Sequence, residues 1–129
     1  MGKPVAINIA KVFGASDVRE QRFAVYVPNK DKNGKPIAQK KWIEKTLQLL
    51  SDICGGATAM PPIRGAWLNK DSGKLVIEEP VLIYTFIEAA AFSKRIEEIV
   101  SLVREIGKDT RQSQMAIEFD QSFFLIDIE

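Results

Sequence analysis

The chain has 129 residues, 46% of them hydrophobic and 27% charged, with 18 Lys/Arg against 17 Asp/Glu, a composition that suits one folded domain with its own core. It contains no histidine, which excludes a Ser-His-Asp triad, a Cys-His dyad and any His-ligated zinc or haem. Its one cysteine, Cys54, cannot close a disulfide within the chain, and no apolar run reaches the ~20 residues that span a bilayer.

These features predict a single cytoplasmic domain over residues 1–129, with no membrane association and no cofactor. Met1 to Ala6 lacks the apolar stretch of a secretion signal, and Ala6 stands where a myristoylation signal places Ser or Thr. The near-neutral total hides an asymmetry. Through Arg64 there are eleven Lys/Arg against five Asp/Glu; from Gly65 onward there are seven against twelve. Halves of opposite sign suit self-association. The basic excess gathers at Lys30, Lys32, Lys35, Lys40, Lys41 and Lys45, residues that can meet a polyanion, although a solvated lysine-rich loop is the simpler reading.

In chain order, Val5 to Phe13 alternates large apolar residues at 5, 7 and 9 with small or polar ones and predicts a strand. Gly14 to Asp17 turns the chain, and Arg22 to Val27 repeats the alternation before Pro28, predicting a hairpin. Asn29 to Lys35 has nothing apolar to bury and reads as an exposed, mobile loop. Pro36 suits a first helical turn, and Ile43, Leu47, Leu50 and Cys54 then recur at helical spacing, with Trp42, Leu49 and Ile53 widening the stripe and Gly55-Gly56 ending it. Cys54 is thus predicted to be a core residue.

Ile63 to Leu68 and Lys74 to Glu79 flank the polar turn Asn69 to Gly73 as a hairpin. Val81 to Ile87 is apolar, β-branched and aromatic enough for a central strand. It reads as continuous with the preceding strand through a bulge at Glu79-Pro80. Phe92, Ile96, Ile99, Val103 and Ile106 mark an amphipathic helix from Ala89 to Ile106 that Gly107 ends. Met115, Ile117 and Phe119 alternate in a further strand, and Phe123 to Ile128 forms the last.

The order β-β-α-β-β-α-β-β predicts an α+β fold. Its core is a ferredoxin-like β-α-β-β-α-β unit with an added N-terminal strand and C-terminal strand, two helices covering one face of an antiparallel sheet. Tyr26, Trp67, Tyr84, Phe123 and Phe124 are more aromatic surface than two helices cover. The open face, or the last strand's edge, is therefore expected to pair with a second copy, giving a homo-oligomer, a dimer in the simplest case, or to meet another protein partner.

Between the helices stand Gly56-Ala57-Thr58, Gly65-Ala66-Trp67, a loop with Gly73, and Glu78; after the second helix comes Gln112-Ser113-Gln114-Met115. This pattern, over about Trp42 to Asp120, resembles a group of small bacterial and phage proteins of unknown function. The resemblance implies the same ferredoxin-like α+β fold and no particular activity. Physically, Thr58, Trp67, Glu78 and Gln112 can line a small ligand pocket of hydroxyl, indole N–H, carboxylate and amide. The simpler alternative makes Trp67 a core ring whose N–H is satisfied by Glu78 or Gln112.

Asp71, Glu78, Glu79, Glu88, Glu118 and Asp120 are the candidate acid/base or metal-binding carboxylates. Glu118 and Asp120 share a strand face, and Lys74 stands across a hairpin, an arrangement similar to the D…ExK motif of magnesium-dependent nucleases. Gly55-Gly56 follows a helix instead of preceding one, the wrong end for a phosphate. The expectation is a non-enzymatic binding or regulatory module of bacterial or phage origin, acting through its sheet as a homo-oligomer. The alternative is a nucleic-acid-binding protein using the lysine cluster, with carboxylate-dependent cleavage; no metal site or catalytic residue is assigned.

Overall fold

A computed structural model describes residues 6–128. The chain begins with α1 (Ile9–Phe13), then β1 (Arg22–Val27), α2 (Gln39–Cys54), β2 (Thr58–Ala59), β3 (Gly65–Asn69), β4 (Lys74–Glu78), β5 (Val81–Phe86), α3 (Ala89–Lys94), α4 (Ile96–Asp109), β6 (Gln114–Phe119) and β7 (Ser122–Asp127). Five strands form an antiparallel sheet in the order β2-β5-β1-β6-β7, and β3 and β4 pair with one another in a separate two-stranded sheet. The fold is α+β, as the element pattern predicts. No helix among the described residues is long and apolar enough to cross a membrane.

The core lies between α2, α3 and α4 and one face of the sheet. Phe23, Val25 and Val27 of β1 and Val81 and Ile83 of β5 alternate inward, meeting Trp42, Leu50 and Ile53 of α2 and Ile99, Val103 and Ile106 of α4. Phe92 of α3 fills the far end, 5.5 Å from the Phe23 ring and 5.9 Å from that of Phe119, centroid to centroid. The stripe that α2 buries runs through Trp42, Thr46 and Leu50, one residue round from Ile43 and Leu47, which are only half-buried. Thr46 is tolerated there because its hydroxyl donates to the Trp42 carbonyl at 2.8 Å. Cys54 is buried, as predicted.

The structure corrects several expectations. Residues 9–13 form a short helix, not a strand: the Asn8 side chain accepts from Lys11 N at 3.1 Å, and Gly14 takes the left-handed conformation (φ 66°) that closes it. The predicted strand's Val5 lies outside the described residues. Glu79-Pro80 is no bulge but a break between β4 and β5, which belong to different sheets. Pro80 offers no N–H to a ladder, and the junction is held instead by Glu79 N donating to the Asn29 side chain at 3.0 Å and by Gln39 Nε2 donating to the carbonyls of Val27 and Glu79. Pro36 lies ahead of the helix and bridges Lys30.

The long amphipathic helix is two helices, α3 and α4, parted at Arg95, whose guanidinium binds Asp52 of α2 at 2.9 Å and Glu98 at 2.7 Å. Gly107 does not end α4 but lies inside it. A Cβ there would stand 2.6 Å from Ile128 Cδ1 and 3.0 Å from Met115 Cγ, so glycine permits the close approach of helix to sheet. The Asn29–Lys35 loop is exposed but anchored. Asp31, buried within it, accepts from Asn33 N, Lys35 N and Arg111 Nη2 at 2.8–2.9 Å, and the Lys35 N–H foremost holds its carboxyl below the usual carboxylate range.

Candidate functional site on the open face of the sheet

The residues that alternate away from the helices meet on the second face of the sheet. Pairing registers place Tyr84 of β5 and Glu118 of β6 on either side of Ala24, with Arg22 opposite Phe86 and Tyr26 opposite Leu82. Beyond Glu118, β7 contributes Phe123, its register partner, and Leu125, both exposed. Ala24 has the smallest side chain able to sit at the centre of this row. It is completely covered, so the four larger groups around it close over one point.

Those groups are connected. Tyr26 Oη donates to Glu118 Oε2, and Arg22 Nη2 stands 3.5 Å from Glu118 Oε1. The same guanidinium lies over the Tyr84 ring, 4.9 Å from its centroid, while Phe86 meets Tyr84 edge-on and Phe123 meets Tyr26 edge-on. Glu118, with its side chain 25% exposed, is thus a carboxylate held by a phenol on one oxygen and faced by a cation on the other.

The Tyr26 phenol is pushed up to about 12 from its ordinary 10.0, first by burial and then by the hydrogen bond and negative charge of Glu118. It is therefore a protonated donor, not a base, at neutral pH. The folded state favours the protonated phenol, so this contribution to stability is complete below about 10 and is lost as pH rises towards 12. An ultraviolet titration should show one of the two tyrosines ionising late. Glu118→Gln should bring that transition part of the way down, with burial retaining the remainder.

At the β2–β5 edge the face runs into a hollow of about 470 Å³ whose rim includes Arg19, Gly56, Thr58, Tyr84 and Phe86, a volume in the range of small-molecule sites. Arg19 fixes one side: its Nη1 donates to the carbonyls of Cys54 at 2.6 Å and Phe86 at 3.0 Å, and its Nε to Asp17. Thr85 Oγ1 donates to the Gly56 carbonyl at 2.6 Å and fixes the other. Aromatic wall, hollow, carboxylate and guanidinium together can receive a flat ring joined to a cationic or zwitterionic group.

The four residues expected to line a pocket fall in three places. Thr58 pairs with Tyr84 and borders the hollow. Trp67 and Glu78 meet on the β3–β4 hairpin, indole Nε1 donating to Glu78 Oε1 at 3.3 Å. Trp67 is 49% exposed, which corrects its reading as a core ring. The Gln112 amide donates to the carbonyls of Lys30 at 2.7 Å and Thr110 at 3.2 Å, tying the lysine loop to the start of β6.

Of the clustered lysines, Lys45 pairs with Glu105 at 2.6 Å and Lys40 stands 4.0 Å from Glu44, while Lys41 and Lys45 lie over the Trp42 ring. The nuclease-like arrangement does not form: Glu118 is engaged by Tyr26 and Arg22, Asp120 sits in the β6–β7 turn at φ 59°, and Lys74 is on the separate hairpin. Glu88 caps α3, accepting from Ala90 and Ala91 N. Among the described residues, no group of three or more acidic or thiol side chains gathers to hold a metal.

No family model and no curated protein matches the sequence. Two solved structures resemble the fold. One, a phage SAM lyase in complex with S-methyl-5'-thioadenosine, has a TM-score of 0.60 at 18% identity, over 84% of this chain and 90% of that one. The other, a phage SAM lyase in the apo state, gives 0.59 at 19% identity, over 86% and 91%. At these identities the likeness is one of fold, and it extends over most of both chains. Both neighbours are lyases, a finding that runs against the expectation of a non-enzymatic regulatory module.

Proposed function

We propose that this protein is a lyase that cleaves S-adenosylmethionine, releasing S-methyl-5'-thioadenosine, with the open face of the sheet as its active site. The reading rests on the likeness to phage SAM lyases over nearly the whole chain. It is supported by the carboxylate and aromatic ring that converge around Ala24 on a cation. S-adenosylmethionine carries a sulfonium between an adenosyl group and a zwitterionic amino acid. Glu118 and the Tyr84 face attract the sulfonium, and the hollow bordered by Thr58 and Phe86 receives the adenine.

Cleavage breaks the bond between sulfur and the amino-acid side-chain carbon, and its electron pair goes to sulfur, cancelling the positive charge. The four-carbon fragment completes its valence by losing a proton from the neighbouring carbon to the Glu118 carboxylate, or by closing its own carboxylate onto the carbon that sulfur leaves. Either route needs the substrate held in one conformation, which side chains fixed on a hydrogen-bonded sheet can do. Incubation with S-adenosylmethionine, followed by chromatography for S-methyl-5'-thioadenosine, tests the reading; purified, folded protein that releases none overturns it.

We also read the sheet as a ferredoxin-like core, β1-α2-β2 interleaved with β5-α3-α4-β6, with β7 added at its edge, and we place the protein in the cytoplasm. Self-association is part of the same proposal: among the described residues β7 leaves one backbone edge unpaired, and it exposes Phe123, Phe124 and Leu125. Light scattering should give at least twice the 14.4 kDa chain mass, and Leu125→Lys should lower it. A wild-type mass equal to that of one chain would remove this part.

A further inference from the structure

We propose that Arg22 occupies the position of the substrate's positive charge, and that on substrate binding it is displaced and turns to the substrate's carboxylate. This makes it the residue that selects a zwitterionic adenosyl sulfonium over one without a carboxylate. The inference rests on the lyase reading above and concerns how that site chooses its ligand.

The Arg22 guanidinium makes both of the attractions a sulfonium would seek on this face: a carboxylate oxygen of Glu118 at 3.5 Å and the face of Tyr84 at 4.9 Å. A second cation cannot share that space without strong repulsion, so either Arg22 leaves or the cation does not bind. The geometry lets it leave. Its approach to Glu118 is longer than the ~2.8 Å of a strong charge-assisted hydrogen bond, and its side chain is 38% exposed at the start of β1. Arg19, by contrast, is fixed by bonds to Asp17, Cys54 and Phe86. Glu118 does not lose its orientation when Arg22 departs, because Tyr26 holds its other oxygen. A displaced guanidinium needs an anion, and the substrate carries one a few bonds from its sulfonium. A planar two-pronged donor matches a carboxylate better than any other side chain does.

The test uses two non-cleavable analogues in which a protonated amine replaces the sulfonium, one bearing the amino-acid carboxylate and one lacking it. Dissociation constants are measured by calorimetry for the wild type, Arg22→Gln and Arg22→Lys, with circular dichroism to confirm folding. The wild type should prefer the carboxylate-bearing analogue by about tenfold or more. In Arg22→Gln that ratio should fall to about one, the carboxylate-free analogue binding at least as tightly as to the wild type because the resident cation is gone. Arg22→Lys keeps the charge but not the fork and should fall between them; it decides the matter alone if Arg22→Gln does not fold. A ratio unchanged from the wild type, with both analogues weakened equally, overturns the role of Arg22. A wild type that binds both analogues without preference overturns it too, and leaves the lyase reading standing. A wild type that binds neither analogue overturns the lyase reading and the Arg22 role with it.

Discussion

On the lyase reading, with the fragment closing its own carboxylate, Glu118→Gln is expected to raise KM for S-adenosylmethionine by about two orders of magnitude while kcat stays the same or rises slightly, so that kcat/KM falls by less than KM rises. The division follows from the charge balance of the reaction. The substrate is a cation at sulfur and the leaving thioether is neutral, so the attraction of Glu118 for sulfur is strongest before the bond breaks and fades as it does. An interaction stronger in the ground state than in the transition state contributes to binding rather than to kcat. Gln preserves the shape and can still accept from Tyr26 Oη, so the sheet face should remain folded. Steady-state kinetics at saturating and limiting substrate separate the two parameters. A loss confined to kcat would instead assign Glu118 to proton transfer.

The two tryptophans should respond very unequally to truncation. Trp42→Ala is expected to cost about 3–5 kcal/mol in denaturant unfolding, because the ring is 3% exposed at the start of the α2 stripe and its removal leaves a cavity in the core cluster. Trp67→Ala should cost less than about 1 kcal/mol: its ring is half in solvent on a hairpin that pairs only with itself, and its bond to Glu78 at 3.3 Å is exposed. Equal losses at the two positions would mean that the hairpin packs against something in solution.

The helices and the long strands are legible because their periods are strong, and tertiary contact then reinforces them. The alternation at positions 7 and 9 stops at Lys11, no strand among the described residues stands beside this segment to accept a ladder, and the Asn8 cap with Gly14 decides for a helical turn. Trp67 invites a core reading because a large ring on a strand is usually buried. The signals that the chain leaves the main sheet are Pro61-Pro62, just ahead of the hairpin, and Pro80, just after it. The site was visible only in pieces. Tyr26 and Tyr84 stand out as surplus aromatics and Glu118 as a strand carboxylate, but what joins them is registers linking positions up to 92 residues apart. Arg22, at the first position of a strand, carries no local signal at all.

The alternation along β1 has a consequence for how this protein can vary. Phe23, Val25 and Val27 face the core, while Arg22, Ala24 and Tyr26 face the open side that the proposal makes the active site, on opposite sides of the same six residues. Substitutions at odd and even positions are therefore nearly independent, and the two sets can drift separately. An insertion or deletion of one residue in β1 exchanges them, turning the oily set to water and the charged set into the interior. A length change there costs folding and activity together, so homologous chains should keep this stretch ungapped even where little else in them is alike.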